Sequence, residues 1–316
     1  MQAAVVHTLG QSPTYQSFSD PVPEKDEALI KVRAIGLHPI VKALARGEHY
    51  LGTSEVPFIP GLDGAGVLED GRRVYFGFVR KPWGTMAEIA AAPQKMCFNL
   101  PDNLDFQQAA AIANPGMSAW LTLKDRGVLV AGETVLVLGA TGVAGHLAIQ
   151  AARLLGAKRV IAAGRNVDSL SQADVDQIIP LGESEDSIRE AFIAEARSGI
   201  DLIIDYLWGR PAELLLEALA KGFNARSTHR TRWVEVGESA GKSITLPGAT
   251  LRSVDLTMMG SGFGSASLDR VLAAIPTLFS MAAAGTLKVN VEAFPLAEVE
   301  SVWNKVEKGR RIVFTT

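Results

Sequence analysis

The spacing of apolar positions divides the chain into two textures. From residue 1 to about 115, apolar and polar residues alternate in short runs broken by Gly and Pro. Examples are ALIKVRAIG at 28–36 and GAGVLEDGRRVYFG at 64–77, the period-2 pattern of antiparallel strands in a β-rich domain. From 116 to about 262, unbroken apolar runs (TVLVLG, RVIAAG, DLIIDY, RWVEVG, LTMMG) alternate with stretches of helical period such as GHLAIQAARLLGA and PAELLLEALAKG. Strands joined by helices of that length imply right-handed crossovers and a parallel sheet covered on both faces, so the fold class is α/β with a doubly wound domain.

In the last fifty residues, SLDRVLAAIPTLFSMAAAG at 267–285 predicts a helix ended by Gly285, and LKVNVEAFP predicts a strand. LAEVESVWNKVEKG reads as an amphipathic helix closing at Gly309, and RRIVFTT as a final strand. This tail is expected to return to the first domain. The expected domains are therefore 1–115 with 263–316, and 116–262.

The stretch TVLVLGATGVAG at 134–145 concentrates the chemistry. A buried strand that turns sharply into a helix leaves unpaired backbone N–H groups aimed at one point, where the helix dipole favours an anion. Gly139 is expected to make the turn, Gly142 to let a diphosphate approach the backbone, and Gly145 to pack the helix closely, with Thr141 and Val143 between them. The strand before, the helix after and the second strand RVIAAG are the context a dinucleotide site requires. At the end of that second strand, an acidic side chain would hold the ribose 2′-hydroxyl of NAD. Here the residues are Gly164, Arg165 and Asn166, with no carboxylate before Asp168, and a guanidinium suits a 2′-phosphate. The expected cofactor is NADP(H).

Composition narrows the alternatives. The chain has 316 residues with 31 basic and 34 acidic side chains and no run of like charge, which does not suggest a nucleic-acid partner. One cysteine, Cys97, excludes an internal disulfide, and with five scattered histidines the chain offers too few soft ligands for a structural zinc. The N-terminus MQAAVVHTLGQSPTY shows no signal-peptide pattern, and no apolar stretch reaches the roughly 18 residues of a membrane span, so the expected setting is cytoplasmic without membrane contact. No tyrosine is followed by lysine four residues on, which excludes the short-chain dehydrogenase pattern. THRTRW at 228–233 clusters cations that could meet a phosphate but reads more simply as a solvated loop, and Cys97 reads as a packed small residue.

PFIPGLDGAGVL, WGTMAEIA, NPGMSAW, VLVLGATGVAGHLAIQAARLLGA and KGRRIVF, in that order, resemble the zinc-independent quinone oxidoreductases of the medium-chain dehydrogenase/reductase superfamily. The resemblance covers nearly the whole chain. It implies a GroES-like β-rich catalytic domain plus a Rossmann domain, a cleft between them, and a homodimer joined at the Rossmann sheet edge. Zinc-dependent relatives place a cysteine where Leu37-His38 stand and a histidine at the position of Leu62, and leucine cannot ligate a metal. No metal is expected. The implied reaction is hydride delivery to a small-molecule acceptor, a quinone or an α,β-unsaturated carbonyl.

The resemblance also places Asn114 and Ser118 at the nicotinamide ribose and carboxamide. Gly237 and Gly260-Ser261-Gly262 fall at strand ends facing the cofactor, and Met258, Met259 and Phe263 are candidates to line an acceptor pocket. The chain departs from its relatives at His38-Pro39-Ile40-Val41-Lys42-Ala43, where an Asn-Pro-x-acid stretch followed by tyrosines is usual. The candidate proton donors are Tyr50, His49 and His38. That departure leaves open a second reading, a nucleotide-binding protein with little catalysis, such as a redox sensor or a structural protein.

Overall fold

The computed structural model describes residues 1–49, 52, 55–222, 230–262, 264–307 and 309–316. In chain order, the first part contains β1 (Gln2–Val5), β2 (Thr14–Ser17), β3 (Glu27–Gly36), α1 (Pro39–Ala45), β4 (Asp63–Leu68), β5 (Arg73–Gly77), β6 (Ile89–Pro93), β7 (Cys97–Asn99) and α2 (Phe106–Leu121). Then follow β8 (Thr134–Leu138), α3 (Val143–Leu154), β9 (Arg159–Gly164), α4 (Val167–Leu170), β10 (Gln177–Pro180) and α5 (Glu185–Ser198). Next come β11 (Leu202–Asp205), α6 (Gly209–Lys221), β12 (Thr231–Glu235), α7 (Gly248–Ser253), β13 (Leu256–Gly260) and α8 (Leu268–Ala283). The chain ends with β14 (Val291–Pro295), α9 (Val299–Val302) and β15 (Arg311–Thr315). Two compact units result: Met1–Asn114 with Ile275–Thr316, and Pro115–Ala274.

The first unit is β-rich. Its seven-stranded sheet runs β14-β15-β3-β4-β5-β7, with β6 also pairing β3, and the C-terminal β15 lies antiparallel to β3. Strand β3 buries alternate positions through Ile30, Val32 and Ala34, as its period-2 sequence requires. Its side chains join Phe76, Met86, Ile312 and Phe314 in one core.

In the second unit, six parallel strands lie in the order β10-β9-β8-β11-β12-β13. The direction of strand addition reverses between β8 and β11, and ligands of open α/β sheets bind beyond the carboxyl ends of the strands at such a point. One face packs against α5 and α6, where Phe192, Leu215 and Trp233 are fully buried. Each burial of that kind contributes about 2–3 kcal/mol. Helix α5 begins where the local chemistry dictates: the Ser184 hydroxyl accepts from the Ser187 amide, Glu185 and Asp186 meet the positive dipole end, and Gly199 at φ +95° ends the helix.

One helix carries a proline in its interior, and another differs from the periodic expectation. Helix α2 runs through Asn114-Pro115-Gly116, with Ala109–Ala113 and Ala119 on either side buried and holding it in place. The helix expected to close at Gly309 ends at Val302. Leu296, Val299, Val302 and Trp303 are buried, but the next apolar residue, Val306, is 72% exposed, so nothing continues the buried stripe.

Candidate functional site

At the end of β8 the chain turns as the glycine spacing requires. Gly139 has φ +90°, and its amide and that of Ala140 donate to the Ala163 carbonyl of β9 at 2.9 and 3.0 Å. A β-carbon at Gly145 would lie 2.4 Å from the Gly139 carbonyl oxygen, so only glycine lets α3 start this close to the turn. At Gly142, a β-carbon would have 3.5 Å to the nearest atom, and the residue is exposed. The inside of the protein does not require glycine there; a ligand approaching from outside would. Gly142 is also the N-cap of α3 and makes no side-chain cap hydrogen bond. The first-turn amides, with Val143 buried behind them and Thr141 half-buried beside them, thus form an uncapped anion cradle.

Gly164 brings the end of β9 against this turn, since a β-carbon there would come within 2.5 Å of Thr141 Cγ2. The next residue, Arg165, is exposed, and its side chain makes no hydrogen bond or ion pair among the described residues. Asn166 caps α4, its Oδ1 accepting from the Ser169 amide at 3.2 Å. The Ser169 hydroxyl lies 2.9 Å from His146 Nε2 on α3, which ties the Arg165 segment to the helix behind the cradle. Burial lowers the pKa of His146 and keeps its imidazole neutral near pH 7.

The other strand ends converge on the same edge. The Gly237 and Val236 amides both donate to the Asp205 carbonyl, at 3.2 and 2.7 Å, joining the ends of β11 and β12. Ser261 donates its amide to the Glu235 carbonyl at 2.8 Å, and its hydroxyl bonds that of Thr122 at 2.9 Å. The Gly260 carbonyl accepts from Arg126 Nε, and the Gly262 amide donates to Ser265 Oγ at 2.7 Å. Asn114 and Ser118 are half-buried on α2. Met258 and Met259, with Trp208, Glu235 and Gly260, line a cavity of about 360 Å³ at the ends of β12 and β13. Phe263 lies outside the described residues.

In the β-rich unit, His38 is fully buried. Its Nε2 lies 3.0 Å from Asp63 Oδ1, while Asp63 Oδ2 accepts the Tyr75 hydroxyl at 2.8 Å. The imidazole is committed to an internal hydrogen-bond group, and only Nδ1 lacks a partner. His49 is half-buried; Tyr50 lies outside the described residues. Leu62, next to Asp63, offers no donor atom, and among the described residues no three His, Cys, Asp or Glu side chains gather as metal ligands. Cys97 is half-buried, with its thiol raised by burial. Arg230 and Arg232 of the THRTRW stretch pair with Asp255 and Glu133, so those two cations are held by internal partners.

Two residues that no local pattern singles out stand at the centre of the edge. Asp205 ends β11 with no exposed surface, and its carboxylate accepts the amides of Leu207 and Trp208 at 2.8 and 2.9 Å and the Trp233 indole N–H at 3.2 Å. These bonds hold Trp208 at φ +54°, ψ −156°, a region that glycine alone enters at low cost. Burial raises the Asp205 pKa to about 6, against the lowering effect of those three donors. Tyr206 follows it at the switch point. An acid closing an apolar strand is the one signal in DLIIDY that could have drawn attention to this corner.

No protein-family model matches the chain. It is 29% identical to a probable NADPH-dependent quinone reductase, tdiC, of Emericella nidulans, over an alignment of 358 positions that takes in 99% of both chains. The quinone oxidoreductase of Homo sapiens is 33% identical over 233 residues, 70% of this chain and 67% of its own. Among solved structures, the quinone oxidoreductase of Thermus thermophilus, also solved in complex with NADPH, matches with a TM-score of 0.81 at 28% identity across the whole of both chains. A β-rich unit and a separate doubly wound Rossmann unit in one chain are the elements of the medium-chain dehydrogenase/reductases. Within that superfamily, the chain belongs to the quinone oxidoreductase family.

Proposed function

We propose that the chain is an NADPH-dependent reductase that works without a metal and reduces a quinone or an α,β-unsaturated carbonyl. The observation that carries the reading is the uncapped start of α3 at the exposed Gly142, set beside an Arg165 that has no partner among the described residues. Free amides at a helix N-terminus suit a diphosphate, and an uncommitted guanidinium suits the added 2′-phosphate of NADPH. The named relatives, described as NADPH-dependent or solved with NADPH, support the same choice. When bound, this cofactor supplies the hydride.

The chain's own part is to hold the nucleotide, orient the acceptor and supply a proton. Gly139, Thr141, Gly142, Val143 and Gly145 would hold the diphosphate. Gly164, Arg165 and Asn166 would hold the 2′-phosphate. Asn114, Ser118, Gly237, Gly260, Ser261 and Gly262 would hold the nicotinamide half. Reducing a polarised C=C or quinone requires proximity and a hydrogen-bond donor to the oxygen on which charge develops, and needs no Lewis acid. Leu62 brings no ligand to a metal, in keeping with that chemistry. We assign the donor to His49 or Tyr50, because His38 already spends Nε2 on Asp63. The domain assignment we favour is a catalytic domain at 1–115 and 263–316 and a nucleotide domain at 116–262, in a soluble cytoplasmic homodimer. No helix among the described residues is long and apolar enough to cross a membrane. The test is NADPH oxidation with a panel of quinones and enones. Consumption of an acceptor supports the enzyme, whereas tight NADPH binding with no acceptor consumed supports the binding-protein reading.

A further inference from the structure

Tyr206 occupies the switch-point crevice between β8 and β11, with its amide donating to the Leu138 carbonyl at 3.0 Å. Its surroundings come from three segments. A β-carbon on Gly139 would lie 3.1 Å from Tyr206 Cβ, so the ring stem rests against the glycine turn. A β-carbon on Gly237 would lie 3.3 Å from the Tyr206 carbonyl oxygen, so the loop after β12 rests on its backbone. The phenol extends toward Ser118 on α2, whose side chain is the one group that lowers its pKa, against a larger rise from burial. Tyr206 thus touches the diphosphate turn, the strand end at Gly237 and the α2 segment together.

Its hydroxyl is buried yet makes no hydrogen bond of normal geometry. Burying a hydroxyl without a partner destabilises the fold, and a phenylalanine of the same shape would avoid that cost. A group that weakens the fold at the centre of a binding edge is explained if binding uses it. Ser118 is half-buried and so can reach a ligand, while the Tyr206 oxygen itself cannot.

We propose that Tyr206 is a positioning residue for the dinucleotide. When the nucleotide fills the crevice, its polar groups turn the Ser118 hydroxyl, which then completes a hydrogen bond with the Tyr206 O–H and locks α2 against the glycine turn. This inference rests on the nucleotide-site reading above.

The test compares wild type, Tyr206→Phe, Ser118→Ala and the double variant by NADPH titration and by thermal unfolding without nucleotide. Tyr206→Phe is expected to unfold at the wild-type temperature or higher. Its NADPH affinity is expected to fall roughly five- to tenfold, the value of one ordinary hydrogen bond. Ser118→Ala should weaken binding at least as much, because it also loses its own contact with the nucleotide, and the double variant should be no weaker than Ser118→Ala, in which the bond to Tyr206 is already gone. Unchanged NADPH affinity in Tyr206→Phe, or losses that simply add in the double variant, would overturn the proposal while leaving the nucleotide site standing. A wild-type protein with no NADPH affinity would overturn both. If Tyr206→Phe unfolds well below wild type, the phenol is structural and the proposal falls.

Discussion

Trp233 gives its indole N–H to Asp205 Oδ2 across 3.2 Å, in the interior of the parallel-sheet unit where neither side chain has exposed surface. The carboxylate that fixes this tryptophan also holds the Leu207-Trp208 turn through its other oxygen. Burial nevertheless outweighs these donors and raises its pKa to about 6. A carboxyl whose folded pKa lies above its unfolded value stabilises the fold fully below the unfolded value, near 4, and loses that contribution as pH rises through the folded one. A shift of this size corresponds to about 3 kcal/mol between the two limits. Denaturant unfolding should therefore show wild type losing more stability between pH 4 and 7 than Asp205→Asn, which cannot ionise. Equal changes in the two proteins would show that Asp205 does not titrate in this window.

Arg165 stands next to Gly164, the residue that brings β9 against Thr141. Arg165→Ala is expected to weaken NADPH binding by about tenfold or more while leaving NADH binding nearly unchanged, since a charged hydrogen-bond pair to a phosphate is worth roughly 1.5–3 kcal/mol. Fluorescence titration with both nucleotides checks this. Equal losses for the two would mean that the guanidinium does not read the 2′-phosphate.

Gly142 and Gly145 are expected to respond differently to one added methyl. At Gly145 the methyl collides with the Gly139 carbonyl, so Gly145→Ala should cost about 1–3 kcal/mol of stability. At Gly142 the space is open, so Gly142→Ala should melt like wild type but bind dinucleotide less tightly. Paired melting curves and titrations separate the two outcomes.

In the β-rich unit, Asp63 is the shared partner of His38 and Tyr75. Asp63→Ala leaves two buried polar groups unpaired and should cost about 3 kcal/mol or more, measured by denaturant unfolding. The double variant His49→Ala, Tyr50→Phe should instead reduce turnover with a good acceptor about tenfold or more, with NADPH affinity retained.

These contrasts show which features are local in the chain. The strands at 134–138 and 159–164, the helix at 143–154 and the glycine turn between them are written in short-range periodicity and in side chains that cannot fit, so they were legible from spacing alone. Helix α2 was not, because its passage through Pro115 depends on burial of Ala109–Ala113 by distant residues. The end of α9 at Val302 likewise reflects what packs on the helix. Asp205 and Tyr206 gain their significance from which strand lies beside β11, and His38 from a carboxylate 25 positions away. Such relationships have no signature within a window of sequence.

An NADPH cradle serving metal-free reduction calls for one assay above all: NADPH oxidation followed in purified, chelator-treated protein with a quinone such as a benzoquinone. The expected result is acceptor-dependent oxidation that persists without metal and is lost when Gly142 is replaced by a bulky residue. Turnover that needs an added transition metal, or no affinity for NADPH at all, would contradict it.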